Sequence, residues 1–320
     1  MKPYKFIICV IISLPSLFFA SCLPSDEAIS PYPRGEGRQV VLSMGATYAS
    51  VLYYSLLDDT VVARVPIDAW HCAVSTGELP VIRMNSALVG SVQPTTTALG
   101  SALAVPRTGW TFDAPDGSAT AFGEWWKQPE RWWIVHLGVN AHGRDLGHRV
   151  VRLERRPDSL VVHIRPLDGS KTMRCSVPTT GRSAWNGINL ITAMAVESEP
   201  PRSTWDLAAQ RYTHLFVDGP NTTPYAVTGI LLADGVAAQR IPVADSITRR
   251  TADTMTLRSQ RDIIGYDWKS YSIETGVFTT FQDRRWIVRT AAGLLFSVQP
   301  VDFYDEHGVK GTITMKVFPQ

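Results

Sequence analysis

The sequence predicts an all-β protein built from two tandem β modules with little helix, preceded by a lipid-anchoring leader. Three observations predict it. Short runs rich in β-branched and aromatic residues recur along the chain, turn residues separate them, and two Trp motifs recur in the same order in both halves.

The leader comes first. Met1-Lys2-Pro3-Tyr4-Lys5 is basic and free of acids, and residues 6–19 are almost wholly apolar. That run of about 14 residues is too short to span a bilayer, which needs about 20, and has the length of a signal-peptide core. It ends in Phe19-Ala20-Ser21-Cys22, which resembles the bacterial lipobox with Phe19 where Leu is usual. Residues 1–21 are therefore expected to be removed and Cys22 to carry lipid. Two or three acyl chains, at about 0.8 kcal/mol per buried methylene, would hold the chain at a membrane. Residues 22–38, with Pro24, Pro31, Pro33, Gly35 and Gly37, read as a tether. Within it, Ser25-Asp26-Glu27 resembles the acidic export signal of Bacteroidetes surface lipoproteins.

The remainder, about 300 residues, suffices for one large domain or two ordinary ones. The chain has 31 basic and 29 acidic residues, and loss of Lys2 and Lys5 with the leader balances them. Balanced charge argues against nucleic acid as a partner. The basic run over residues 149–156 alternates with Val150, Val151 and Leu153, as a solvated strand face does. Cys72 and Cys175 lack metal-site spacing, and whether they pair is open.

Strand runs include Val40-Val41-Leu42, Val51-Leu52-Tyr53-Tyr54, Val61-Val62-Ala63-Arg64-Val65, Trp132-Trp133-Ile134-Val135, Leu160-Val161-Val162-His163-Ile164, Trp286-Ile287-Val288 and residues 312–317. Asp58-Asp59, Asp116-Gly117, His142-Gly143, Asp168-Gly169, Asp234-Gly235 and His307-Gly308 mark turns between them. Helical periodicity is confined to residues 205–212 and 239–247. Trp70-His71-Cys72-Ala73 is echoed by Trp205-Asp206-Leu207-Ala208, and Arg131-Trp132-Trp133-Ile134-Val135 by Arg285-Trp286-Ile287-Val288. Two echoes in register suggest two copies of one β module, at 39–178 and 179–320; the alternative is one large β-sandwich with coincidental Trp strands.

The second module carries a resemblance. Trp205-Asp206-Leu207-Ala208-Ala209-Gln210-Arg211-Tyr212 resembles the Trp-Asp…Arg-Tyr motif of the HmuY family, and residues 285–314, from Arg285-Trp286-Ile287-Val288 to Gly311-Thr312-Ile313-Thr314, resemble its C-terminal end. The similarity is clearest over residues 197–318. It implies a hand-like all-β fold, an outer-membrane, surface-exposed lipoprotein, and haem held between β-fingers for delivery to an outer-membrane receptor. The founding member binds iron through two second-half histidines. The matching positions, within residues 244–261 and at Ser272 or Ile273, hold no histidine here. Some relatives use methionine, which points to Met255; Tyr271 stands beside the other position. Alternatively Met255 fills a core gap and Tyr271 packs as an aromatic.

The first module offers His136, His142 and His148, at a constant interval of six. On a strand-turn-strand His136 and His148 face each other with His142 at the tip, an arrangement suited to a metal or haem, or else a set of surface histidines. Trp125, Trp126, Trp132 and Trp133 are either a core or a stacking platform for a ring. No nucleophile elbow, zinc-protease motif or phosphate loop occurs, so a binding protein is expected rather than an enzyme. The alternative to haem is a surface protein that binds a protein or glycan partner.

Overall fold

The computed structural model describes residues 37–95, 102–219, 221–245 and 249–320. The leader, Cys22 and nearly all of the tether lie outside the described residues. Among the described residues no helix is long and apolar enough to cross a membrane.

The fold is all-β and antiparallel throughout. In chain order the strands are β1 (Arg38–Ser43), β2 (Ser50–Ser55), β3 (Thr60–Pro66), β4 (Cys72–Ser75), β5 (Ile82–Met84), β6 (Ser91–Thr95) and β7 (Trp132–His136). There follow β8 (His148–Arg155), β9 (Ser159–Arg165), β10 (Met173–Pro178), β11 (Trp185–Asn189), β12 (Met194–Glu197), β13 (Leu207–Asp218) and β14 (Asn221–Leu232). The last are β15 (Ala237–Pro242), β16 (Lys269–Tyr271), β17 (Phe278–Thr280), β18 (Arg284–Arg289), β19 (Leu295–Tyr304) and β20 (Lys310–Pro319).

Two sets of sheets share one plan. The first set is a four-stranded sheet ordered β12-β11-β4-β5 and a five-stranded sheet ordered β10-β9-β8-β7-β6. The second is a four-stranded sheet ordered β3-β2-β13-β14 and a five-stranded sheet ordered β1-β20-β19-β18-β15. The sequence echoes fall on equivalent strands. Trp70 and Trp205 stand two residues before β4 and β13, and the Trp-Ile-Val runs form β7 and β18. The sets differ by a cyclic shift. β10 to β12 complete the first set after β4 to β9, whereas β1 to β3, at the start of the described chain, complete the second.

Each set has its own core. One gathers Leu42, Leu52, Tyr54, Trp205, Trp268, Trp286, Phe303 and Met315, and the other Val74, Ile82, Trp125, Trp133, Leu153 and Ile164. Trp125 and Trp133 are thus core residues, and the Trp125 indole N–H donates to Pro80 O at 3.0 Å. Cys72 and Cys175 are buried free thiols in this second core.

The helical expectation for residues 205–212 is overturned: Leu207 onward is β13. Leu, Ala, Gln and Arg favour helix intrinsically, but β13 lies between two strands. Leu207, Ala208 and Ala209 pair with Tyr54, Tyr53 and Leu52 of β2 on one side and with Leu232, Leu231 and Ile230 of β14 on the other. Two ladders of backbone hydrogen bonds outweigh a propensity of a few tenths of a kcal/mol per residue. Of residues 239–247, Gln239 to Pro242 likewise belong to a strand, and the described α-helix, α1 (Arg249–Thr254), comes later.

Asp206 joins the second set to the returning N-terminal strands. Its carboxylate accepts the Leu56 N–H at 2.8 Å, just beyond β2, while its own N–H donates to Tyr54 O at 2.9 Å. The neighbouring Trp205 meets the Tyr53 ring edge-on at 4.7 Å. Asp206→Ala leaves the buried Leu56 N–H without an acceptor, so stability should fall by about 1–3 kcal/mol in denaturant unfolding. Asp206→Asn, which keeps an acceptor oxygen, should lose less.

Candidate functional site

The face of the β6–β10 sheet that points away from its core carries a row of polar residues. Trp133, Val135 and Leu137 enter the core, so the alternating His136 faces outward. Ser91 of β6, His136 of β7 and His148 of β8 are direct cross-strand partners and form one row. The His136 and His148 rings are 4.8 Å apart between centroids and inclined by 31°.

The backbone beyond His136 is held close to the 3-10 turn Ser86–Leu88. Val139 N–H donates to Leu88 O at 2.7 Å. Gly138 makes that approach possible: its φ is +86°, and a Cβ there would lie 2.0 Å from Leu88 O. Any other residue would force the two segments apart.

A second segment covers the histidine row. Thr111 forms an isolated bridge with Val92 at the free edge of β6, with N–H···O bonds of 2.9 and 3.0 Å in the two directions. Its neighbours Trp110 and Phe112 line the space above the row. The Trp110 ring centroid is 5.7 Å from His148 and 6.2 Å from His136. The result is a slot of about 320 Å³ lined by Val89, Val105, Trp110, Phe112, His136, Val139, His148 and Pro224 together with Ser91. Pro224 belongs to β14. The long β13–β14 hairpin is fixed there by Arg211, whose guanidinium donates to Val139 O at 2.6 Å and to Ala87 O.

The two imidazoles have different electrostatic surroundings. His136 Nε2 lies 3.1 Å from Asp145 Oδ1. Asp145 is held below the usual carboxylate range, first by the Gly147 N–H bond and then by His136. No hydrogen bond to the His148 ring is made among the described residues. Burial, followed by the nearby His136, lowers its pKa, so its neutral form persists below the usual range. Beside an apolar, aromatic space, the neutral form of His148, the form that binds a metal, is thus favoured.

Of the three histidines singled out in sequence, the hairpin brings His136 and His148 together. His142 sits at the exposed tip, where its N–H donates to Asn140 Oδ1 at 3.0 Å. Among the described residues no group of three or more His, Cys, Asp or Glu side chains is arranged to hold a metal ion. Met255 and Tyr271 occupy different surroundings. Met255 packs against a small apolar cluster of Ile241, Ala252, Ile287 and Leu295. Tyr271, 51% exposed, ends β16 with its ring 4.7 Å from Phe278. Trp110, Phe112 and Pro224 escaped the sequence reading because none lies in a strand run beside the histidines.

Comparison with known proteins follows from this geometry. The family model described as HmuY protein matches residues 47–316, most of the chain. No curated protein matches. Similar solved structures are remote. Apo PinO of Porphyromonas gingivitis is 11% identical over 89% of this chain and 98% of that one, with a TM-score of 0.31. A Bacteroides vulgatus protein named as HmuY-like and heme-binding is 11% identical over 89% and 94%, at 0.25. A Bacteroides fragilis protein named as a lipoprotein is 13% identical over 51% and 90%, at 0.24. The family assignment rests on the family model.

The paired rings make a spectroscopic prediction. In an NMR pH titration the His148 ring should titrate below the ordinary histidine value of about 6.5. The His136→Gln variant, which removes one of the two lowering influences, should move that midpoint upward.

Proposed function

We propose that the protein captures haem or a related tetrapyrrole at the cell surface, and the premise is its family: the chain belongs to the HmuY family. The observation that carries the reading is the in-register His136–His148 pair opening on a slot walled by Trp110 and Phe112. Haem binding calls for an axial donor such as imidazole and for apolar, aromatic contact with a flat ring. The slot supplies both. The second half fits less well, since Met255 is packed into an apolar cluster and Tyr271 faces solvent.

Roles divide between the imidazoles. Their rings lie side by side on one wall, 4.8 Å apart, so one of them would hold a haem iron, should it bind there. His148, neutral and without a hydrogen bond, is the donor in this reading. His136, engaged by Asp145, steadies the wall. At about 320 Å³ the slot is at the small end of ligand sites, so a macrocycle would be gripped over part of its surface and leave the rest free for transfer to an outer-membrane receptor.

Attachment through lipid on Cys22 completes the proposal, with the protein facing outward from the outer membrane. Labelled palmitate should enter the wild-type chain and not Cys22→Ala; equal labelling would remove the anchor. A second reading, docking of a protein or glycan partner, draws on the tip of the β13–β14 hairpin. There Phe216 is 44%, Tyr225 61% and Val217 73% exposed.

Haemin titration of the soluble chain beginning at Leu23 tests the main reading. A saturable, shifted Soret band at one equivalent is expected, lost or displaced in His148→Ala and kept in Met255→Ala. Loss in Met255→Ala with retention in His148→Ala would move the site to the second half. A spectrum of free haemin throughout would leave the partner-docking reading.

A further inference from the structure

A second cavity, of about 180 Å³, lies apart from the histidine slot, and its chemistry differs. Trp70, Arg83, Trp185, Gln210, Asp113, Asp234 and Arg261 supply its polar wall, with Tyr53 and Leu231 beside them. Buried donors on its lining residues, among them Trp70 Nε1, Arg83 Nε and Arg261 Nε, have no partner among the described residues. Trp70 and Arg83 are 6% and 7% exposed, so bulk water does not serve them freely. The Gln210 amide, 7% exposed, also makes no hydrogen bond among the described residues.

The acceptors on the same wall are partly used. Asp113 accepts from Met84 N and Ala121 N, each at 2.7 Å, and Asp234 accepts from the Trp185 indole N–H at 2.8 Å. Glu199 behind them takes Arg83 at 3.0 Å and Trp185 N at 3.1 Å. Each carboxylate keeps spare lone pairs. The Arg83 guanidinium lies 4.2 Å over the Trp185 ring, which holds it in place.

These features exclude most ligand classes. An apolar ligand would leave buried donors unpaired, which is unfavourable. An anion would meet Asp113, Asp116 and Asp234, and a cation would meet Arg83 and Arg261. A neutral ligand whose groups donate and accept at once satisfies both sets, and hydroxyls do that. At about 180 Å³ the cavity has room for one sugar ring. Gly117, Ala119 and Asp234 are exposed and form the mouth.

We propose that this cavity is a binding site for a single neutral sugar ring, held by Trp70, Arg83, Gln210 and Arg261 as donors and by Asp113 and Asp234 as acceptors. It stands independently of the histidine slot. The test is calorimetric titration of the soluble chain with glucose, galactose, mannose, xylose and N-acetylglucosamine, and with their methyl glycosides in both anomers. Glucuronate and inorganic phosphate serve as charged probes. At least one neutral sugar should saturate at one equivalent. Gln210→Leu, which breaks no protein hydrogen bond, and Arg261→Met should each weaken it about tenfold, the worth of one hydrogen bond of roughly 1.4 kcal/mol. Preference for a methyl glycoside would mark the end of a glycan as the source, and preference for the reducing sugar a free monosaccharide. Absence of saturation by every neutral sugar, tighter binding of glucuronate or phosphate, or affinity unchanged in both variants would overturn the assignment.

Discussion

The structure depends on β1 to β3 leaving the first set of strands and completing the second. The pairing of β2 with β13 covers only Leu52, Tyr53 and Tyr54 against Ala209, Ala208 and Leu207. Three residue pairs are a short ladder, and side chains reinforce it. Trp205 meets Tyr53, the Asp206 carboxylate takes the Leu56 N–H, and Ala233 N–H donates to Asp206 O at 2.9 Å. Five residues on, Arg211 reaches the carbonyls of Ala87 and Val139 in the first set. The Trp-Asp…Arg-Tyr signature therefore acts as a brace. Its first residues hold the end of β2 against β13, and its Arg ties the β13–β14 hairpin to the histidine-bearing hairpin.

That brace sets where cavities form. Where the β13–β14 hairpin approaches Val139, Pro224 closes one side of an apolar slot. Gln210 and Tyr212, also on β13, line the polar cavity instead. The difference between the two spaces follows from what each receives from the first set. The slot receives the outward face of a sheet and the Trp110–Phe112 segment. The polar cavity receives the Trp185 ring and the charged side chains of Arg83 and Asp113, each held by hydrogen bonds. The Arg83–Glu199 pair, both side chains under a tenth exposed, has that geometry because breaking a buried ion pair is costly.

Much of the fold was legible in the sequence for physical reasons. Strand runs and turn residues report local backbone preference, and the Trp echoes mark equivalent strands because Trp70 and Trp205 precede β4 and β13 by two residues while Trp133 and Trp286 enter the two cores. The His136–His148 pair was legible because a hairpin converts sequence interval into cross-strand register. What escaped depends on distant partners. β13 reads as helix-forming until β2 and β14 flank it. The cyclic shift of the two sets is invisible when each half is read alone. The polar cavity gathers Trp70, Arg83, Trp185 and Arg261 from four separated stretches, and no local pattern announces such a meeting.

Coupling between brace and slot is the last consequence. Pro224 reaches the slot on a hairpin that Arg211 ties to Ala87 O and Val139 O and Thr213 to Ser86 O, and the strand that carries both is paired with β2 at its start. A ligand that contacts Pro224 as well as the His148 wall binds this closed arrangement and not a frayed one. By mass action it then stabilises the brace as well as the slot, by an amount that grows with ligand concentration over its dissociation constant. A ligand confined to the histidine wall would leave the brace as it was. The Trp-Asp…Arg-Tyr stretch thus bears on the slot through the geometry it enforces, although it does not itself line the slot.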